Sequence, residues 1–314
     1  MTTTRPRPLA PWDPTAAHRF VTSDGTALHV EDIAPAGGAE LTVILLHGWT
    51  LDHTEWQPVV HTLTADGAVN RGLRVIRYDH RGHGGSAPAE PGTATIAQLA
   101  DDLAELIADR VAEGPIVLVG HSMGGATIMA FAERHPELLP RIAGAVFMAT
   151  TSGGLDKITL GLPRWLSTGV TKAERRVNRR LSKIRRTSLS RRTALMRPAL
   201  RWLVFGKKPN RRDVADTADQ LGRGNPASIA GFRISLGAHE RREALAALRD
   251  KPTIVLAGGA DRLLPLPHAR IIADALGAEL VIYPDAGHML NVERTVGVAE
   301  RIAHVIELAG SREG

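Results

Sequence analysis

The 314-residue chain contains no cysteine, and only 4% of its residues are Phe, Trp or Tyr. Without thiols it can form no disulfide framework, no thiolate metal site and no cysteine nucleophile, so its stability must come from packing. The scarcity of aromatics leaves no stacking platform for RNA, and no zinc-finger spacing is present to read DNA. No apolar run approaches the roughly 20 residues that span a bilayer. The opening segment MTTTRPRPLAPWDPTAAHRF also lacks the continuous apolar stretch of a secretory signal. These absences lead us to expect a soluble, cytoplasmic chain.

What is present points to a substantial core. At 33.7 kDa with 43% hydrophobic and 23% charged residues, the chain suffices for one large core or two ordinary domains, which excludes a peptide scaffold and a disordered chain. The formal charge of +6 hides a strong asymmetry: residues 155–212 hold 18 basic side chains against two acidic ones, a local +16 that leaves −10 elsewhere. An acidic body therefore carries a strongly basic insert.

Prolines 6, 8, 11 and 14 make residues 1–17 an extended arm. Alternating Phe20, Thr22, Leu28 and Val30 around Asp24-Gly25 predict an antiparallel hairpin. Compact apolar runs follow at 41–48, 73–79, 115–120, 142–150, 252–258 and 279–285. Helical patterns stand between several of them, which predicts an α/β fold with a mainly parallel central sheet covered by helices. In TIAQLADDLAELIADRV, residues Ile96, Leu99, Leu103, Leu106 and Ile107 form one apolar stripe, with Asp101, Asp102, Glu105 and Asp109 expected largely elsewhere. A small-residue helix over 124–135 ends before Pro136, and a terminal helix closes the chain. Residues 155–240 interrupt the strand recurrence with basic, helix-compatible sequence and are expected to form an inserted helical cap over a core of 18–154 and 241–314.

The strongest chemical signal is Gly120-His121-Ser122-Met123-Gly124-Gly125, which follows the apolar strand IVLV and opens a helix. In that context G-x-S-x-G is a sharp strand-to-helix turn that presents the serine hydroxyl, with Gly120 and Gly124 leaving room for close backbone approach.

Over residues 18–310 the chain resembles the α/β-hydrolase superfamily, in its serine-dependent, esterase- and lipase-like branch. His47-Gly48-Trp49-Thr50 resembles the family's oxyanion loop, and Asp79-His80-Arg81-Gly82-His83-Gly84-Gly85-Ser86 its D-x-R-G-x-G-x-S loop. Gly258-Gly259-Ala260-Asp261 resembles the acid-bearing loop and Asp285-Ala286-Gly287-His288 the histidine loop, in the family's order. The resemblance implies Ser122 as nucleophile, His288 as general base and then acid, and Asp261 as the carboxylate that orients His288. Asp156 is a competing acid, but Asp261 follows its strand immediately. The Met123 and Trp49 backbone N–H groups are the implied oxyanion donors. The Trp49 side chain, where HGGG-type loops carry glycine, argues against bulky tertiary esters. Asp79, Arg81, His47 and Gly48 are expected to shape the scaffold, and His121 to pack or hydrogen-bond locally. His53, His80 and His83 offer no helical pair or convergent carboxylate, so no metal and no cofactor are expected.

The implied reaction is hydrolysis of a carboxylic ester of a small to medium, largely apolar acyl substrate through an acyl-enzyme. The alternatives are an acyl-thioesterase for a coenzyme A or carrier-protein substrate, and a non-catalytic binding protein on the same scaffold. Trp56, Met148, Trp165, Trp202, Phe205, Phe232 and Met289 are candidates for an acyl pocket, each also compatible with ordinary core. The basic run 172–192 has three readings: a solvated cap face, a docking surface for an anionic membrane or an acidic carrier domain, and nucleic-acid binding, the last without a supporting motif.

Overall fold

The computed structural model describes residues 18–35, 38–65, 72–155 and 193–311. The N-terminal arm, Asp156, Trp165 and the basic run 172–192 lie outside the described residues.

Eight strands form one sheet in the order β1-β2-β4-β3-β5-β6-β7-β8. β1 (Arg19–Val21) and β2 (Ala27–Ile33) make the expected antiparallel hairpin, with Gly25 at φ 85° in its turn. β2 pairs antiparallel with β4 (Leu73–Tyr78), and every pairing beyond that is parallel. The apolar runs became β3 (Leu41–Leu46), β4, β5 (Ile116–His121), β6 (Ile142–Met148), β7 (Thr253–Gly258) and β8 (Glu279–Tyr283). β3 and β5 are buried at every position, as unbroken Val/Ile/Leu sequence requires of strands covered on both faces.

Helices α1 (Gln57–Thr64), α2 (Ile96–Arg110) and α3 (Met123–Arg134) follow β3, β4 and β5. α2, α3 and the helix Leu266–Leu276 pack on one face of the sheet, while α1 and the terminal helix Thr295–Gly310 pack on the other. Thr95 caps α2, its side chain accepting from Gln98 N at 3.1 Å. The predicted stripe of α2 is fully buried. Asp102 corrects the expectation for its polar face: it too is buried, because Arg81 reaches it in a bidentate ion pair. A buried carboxylate is tolerated only with such a partner.

The insert is helical where it is described, with helices Arg197–Val204, Arg211–Arg223 and Pro226–Gly237. Asn210 and Asn225 cap the second and third, and Pro198 and Pro226 open the first and third, where a missing N–H costs nothing. These helices dock on the loops at one end of the sheet. Asn225 N donates to Gly82 O at 2.9 Å, the Arg223 guanidinium meets Asp52 Oδ2 at 2.6 Å, and Trp49 Nε1 donates to Ile229 O at 3.0 Å.

The strand order fixes where chemistry belongs. β3 lies between β4 and β5, so successive crossovers leave it in opposite directions and their loops part above its C-terminal end. Such a switch point opens a crevice at the carboxyl ends of the strands. It is flanked by the loop after β3, residues 47–50, and the turn after β5 at Ser122.

Candidate active site

Ser122 follows β5 and precedes α3 with φ 51° and ψ −110°, a conformation costly for a residue with a Cβ. The surroundings hold it there. Ser122 N donates to Met148 O at 2.9 Å, Thr150 Oγ1 donates to Ser122 O at 2.6 Å, and Gly125 N closes the turn onto the same carbonyl at 3.0 Å. A Cβ at Gly120 would strike the Gly124–Gly125 backbone, and one at Gly124 would strike the Leu46 carbonyl. A Cβ at Gly125 would meet Thr150. The glycines therefore let α3 seat against β3 and turn the serine outward.

Asp261 and His288 stand on the loops after β7 and β8, 27 residues apart in sequence, with His288 Nδ1 2.8 Å from Asp261 Oδ2. The facing carboxylate makes Nδ1 the donor, which leaves Nε2 able to accept a proton. The other Asp261 oxygen accepts from Leu263 N at 2.8 Å and Leu264 N at 2.9 Å, so the carboxylate cannot rotate away. His288 is held through its backbone as well: its N–H donates to Val204 O at 2.8 Å, at the end of a cap helix. Glu293 joins the same two segments, accepting from Gly206 N at 2.9 Å and Gly287 N at 2.8 Å. Among the described residues no hydrogen bond joins the Ser122 hydroxyl to His288. Such contacts commonly tighten only when substrate is bound.

Neither the Trp49 nor the Met123 amide donates to any other backbone group among the described residues. Met123 N opens α3, where the helix dipole also favours negative charge. The Gly48–Trp49 peptide is fixed by its carbonyl, which accepts from His47 Nδ1 at 2.8 Å and Leu51 N at 3.2 Å. A trans peptide points its N–H opposite its C=O, so this bonding sets the direction of Trp49 N–H. His47 Nε2 accepts from His80 N at 2.9 Å, which completes its bonding as a neutral ring. Burial, then the neighbouring His80 and His83, hold its pKa well below the usual value.

Asp79 and Arg81 face other elements. Asp79 accepts from His53 N and His53 Nδ1, both at 2.7 Å, and from Gly85 N at 2.7 Å. Arg81 pairs with Asp102 and, at 2.7 Å, with Asp24. His29, His53 and Asp79 place donor atoms within 4.8 Å of one another, the one set among the described residues that could converge on a metal ion. That corrects the expectation that His53 lacks a convergent carboxylate. Both Asp79 oxygens already accept protein protons, however, and His53 bridges Asp79 to Glu31, so an ion-pair network accounts for the set.

Sequence reasoning missed Glu55. This buried carboxylate accepts from Gly48 N at 3.1 Å and lies 2.9 Å from His121 Nδ1. Nothing in the run His53-Thr54-Glu55-Trp56 marks it as interior. Of the acyl-pocket candidates, Trp56, Met148, Phe205, Phe232 and Met289 are buried in the core clusters, whereas Trp202 is 47% exposed with Arg262 stacked on it.

Residues 42–295 match the family model described as alpha/beta hydrolase fold. The chain belongs to this family. It is 29% identical over 286 residues to the dihydrolipoyllysine-residue acetyltransferase component of the acetoin cleaving system of Cupriavidus necator. That match covers 90% of this chain and 67% of the relative. It is 26% identical to the 2-hydroxy-6-oxononadienedioate/2-hydroxy-6-oxononatrienedioate hydrolase of Klebsiella pneumoniae, over 88% of this chain and 91% of that one. With several of the first relatives the match is shorter, covering 38% of the length of a non-heme chloroperoxidase from Kitasatospora aureofaciens. Among solved structures, a thermophilic esterase from Thermogutta terrifontis superimposes with a TM-score of 0.72 at 25% identity, over 94% of this chain and 98% of that one. For an enol-lactonase from Burkholderia xenovorans the TM-score is 0.71 at 23% identity, over 92% and 99%.

Proposed function

We propose that this alpha/beta hydrolase fold protein is a serine carboxylic-ester hydrolase acting on a small to medium, largely apolar acyl substrate. The observation that carries this reading is the Asp261–His288 hydrogen bond at 2.8 Å, on loops that leave the same carboxyl end of the sheet as the strained turn holding Ser122. In this reading the Ser122 Oγ–H proton passes to His288 Nε2 as Oγ bonds to the ester carbon. The charge developing on the carbonyl oxygen is met by the Trp49 and Met123 amides. His288 returns the proton to the leaving alcohol as the carbon–oxygen bond breaks. Water then repeats the sequence on the acyl-enzyme, with His288 as base, to release the acid. Asp261 stabilises the imidazolium in both halves.

Labelling with a serine-directed fluorophosphonate, followed by turnover of p-nitrophenyl esters, acylglycerols and acyl thioesters, tests the reading. Labelling that Ser122→Ala abolishes, together with ester turnover, is the expected result. Folded protein that neither labels nor hydrolyses any member of the panel sinks it, and preference for thioesters over esters shifts it to the thioesterase alternative. Docking of the basic run 172–192 on an anionic membrane is a separate proposal, supported by sequence charge alone. Activity that ignores salt, with no binding to anionic vesicles, defeats it.

A further inference from the structure

Beneath Ser122 lies a buried charged pair that the hydrolytic steps do not use. Glu55 and His121 both have side chains with no solvent exposure. The Glu55 carboxylate contacts His121 Nδ1 at 2.9 and 3.1 Å through its two oxygens, and one of them also accepts from Gly48 N at 3.1 Å. The other ring nitrogen, His121 Nε2, lies 3.1 Å from His288 O. A carboxylate and a carbonyl can only accept, so the protonated imidazole satisfies both contacts at once. Burial works against that charge, but Glu55 outweighs it, and the His121 pKa is raised.

The surroundings leave the pair little freedom. The His121 ring packs against the His288 ring at 4.9 Å between centroids and edge-on against Trp56. A Cβ at Gly48 would sit 3.0 Å from His121 Nδ1, so glycine at this position lets the loop approach the ring without displacing it. Asn291 Nδ2, three residues past His288, donates to the Glu55 carbonyl at 3.0 Å. One pair thus touches the loop bearing Trp49 N–H, the strand end that leads into Ser122, and the backbone of the histidine that serves as base.

We propose that Glu55 and His121 form a positioning pair that holds the oxyanion loop and the His288 loop in register beneath Ser122, so that its loss lowers turnover without weakening substrate binding. The inference rests on the serine-hydrolase reading. Neither residue reaches the reacting atoms, and both act through Gly48 and His288. Displacing a reacting group by about 1 Å can cost on the order of 10²-fold in rate, which sets the scale of the effect.

The test compares Glu55→Leu, Glu55→Gln and unmodified protein on a short p-nitrophenyl ester and a fluorophosphonate. Turnover by the unmodified protein comes first, since its absence defeats the hydrolase reading and not the pair. Given turnover, Glu55→Leu is expected to lower kcat by about 10²-fold with KM nearly constant and to slow labelling in parallel. Glu55→Gln keeps an acceptor for Gly48 N and donates to Nδ1 of a neutral His121, whose Nε2–H still meets His288 O. It is expected to restore most of the lost kcat. If Glu55→Leu does not fold, the double variant Glu55→Leu/His121→Phe replaces the pair with apolar groups and recovers stability, and the same fall in kcat is expected from it. A folded variant without the pair that retains full kcat overturns the proposal. So does a loss carried by KM, or a Gln variant no better than Leu.

Discussion

Asp261 binds His288 with one carboxylate oxygen, at 2.8 Å, and uses the other to accept two backbone amides of its own loop. The division has a testable consequence. In Asp261→Asn the amide oxygen keeps the Leu263 and Leu264 bonds, so the fold is retained, while the NH2 group faces His288 Nδ1. The imidazole must then carry its proton on Nε2 and cannot accept one from Ser122. If the proposed hydrolytic role holds, turnover at neutral pH is expected to fall by roughly 10⁴-fold, the loss typical of a catalytic triad deprived of its carboxylate, with an unchanged melting profile. A fall of less than tenfold would assign the acid role to another carboxylate, with Asp156 the first to examine.

The glycine at 124 is a second point of leverage. Its missing Cβ is what allows α3 to lie against the Leu46 carbonyl, and backbone cannot swing aside as a flexible side chain does. Gly124→Ala is therefore expected to destabilise the protein by about 3 kcal/mol, the upper range for overpacking. Any folded fraction should label slowly with fluorophosphonate because Ser122 is displaced. Labelling at the unmodified rate in an equally stable variant would show that the elbow tolerates the shift.

Arg81 and Asp102 give the sharpest separation of structure from chemistry. Both side chains are fully buried, so Arg81→Met leaves a carboxylate without its partner and is expected to cost about 3–5 kcal/mol in denaturant unfolding. Arg81→Met/Asp102→Leu removes both charges and should recover most of that loss. Per folded molecule, ester turnover by the double variant is expected to match that of the unmodified protein. A loss of turnover without a loss of stability would place Arg81 in the reaction.

The same pair shows how far the sequence could be read. Strands β3 to β7 were legible because strands covered on both faces are mainly apolar runs, the half-buried edge strand β8 because Leu280, Val281 and Ile282 are consecutive, and the Ser122 turn because only glycine fits at 120 and 124. Asp102 was misread on polarity: it stands at i+3 from Leu99 and i−4 from Leu106, hence on the apolar stripe, and its partner lies 21 residues away in a loop. Glu55 gave no local sign at all, since its burial is caused by His121, 66 positions along the chain. Nor can the hold of Val204 O on His288 N be seen in side-chain identity, because any residue supplies that carbonyl.

The buried histidines predict acid sensitivity. His47, His80 and His83 form a cluster, with ring centroids 4.3 Å apart for His47–His80 and 5.2 Å for His47–His83. Burial, and then the charge of His83, pushes the His80 pKa down to about 3, and burial takes those of His83 and His239 to about 4. Each therefore binds its proton more readily in the unfolded chain. Unfolding takes up protons below the ordinary histidine value of about 6.5, so these groups make stability fall as pH drops from there toward 4. His53 and His121 act oppositely. Burial opposes their charge, but Asp79 and Glu55 outweigh it, so their contribution is complete below the ordinary value and is lost as pH rises through their raised pKa values. Below pH 6.5 the contribution of His53 and His121 is constant, so the downward-shifted histidines set the slope, and Tm is expected to decline steadily between pH 6.5 and 4. The His80 ring nitrogens have no side-chain hydrogen-bond partner and at most a weak contact with the His47 backbone, so His80→Phe removes a proton-binding group at little cost in bonding. The variant's stability relative to the unmodified protein should therefore improve as pH falls from 7 to 5, and a difference in Tm that stays constant across that range would refute the assignment.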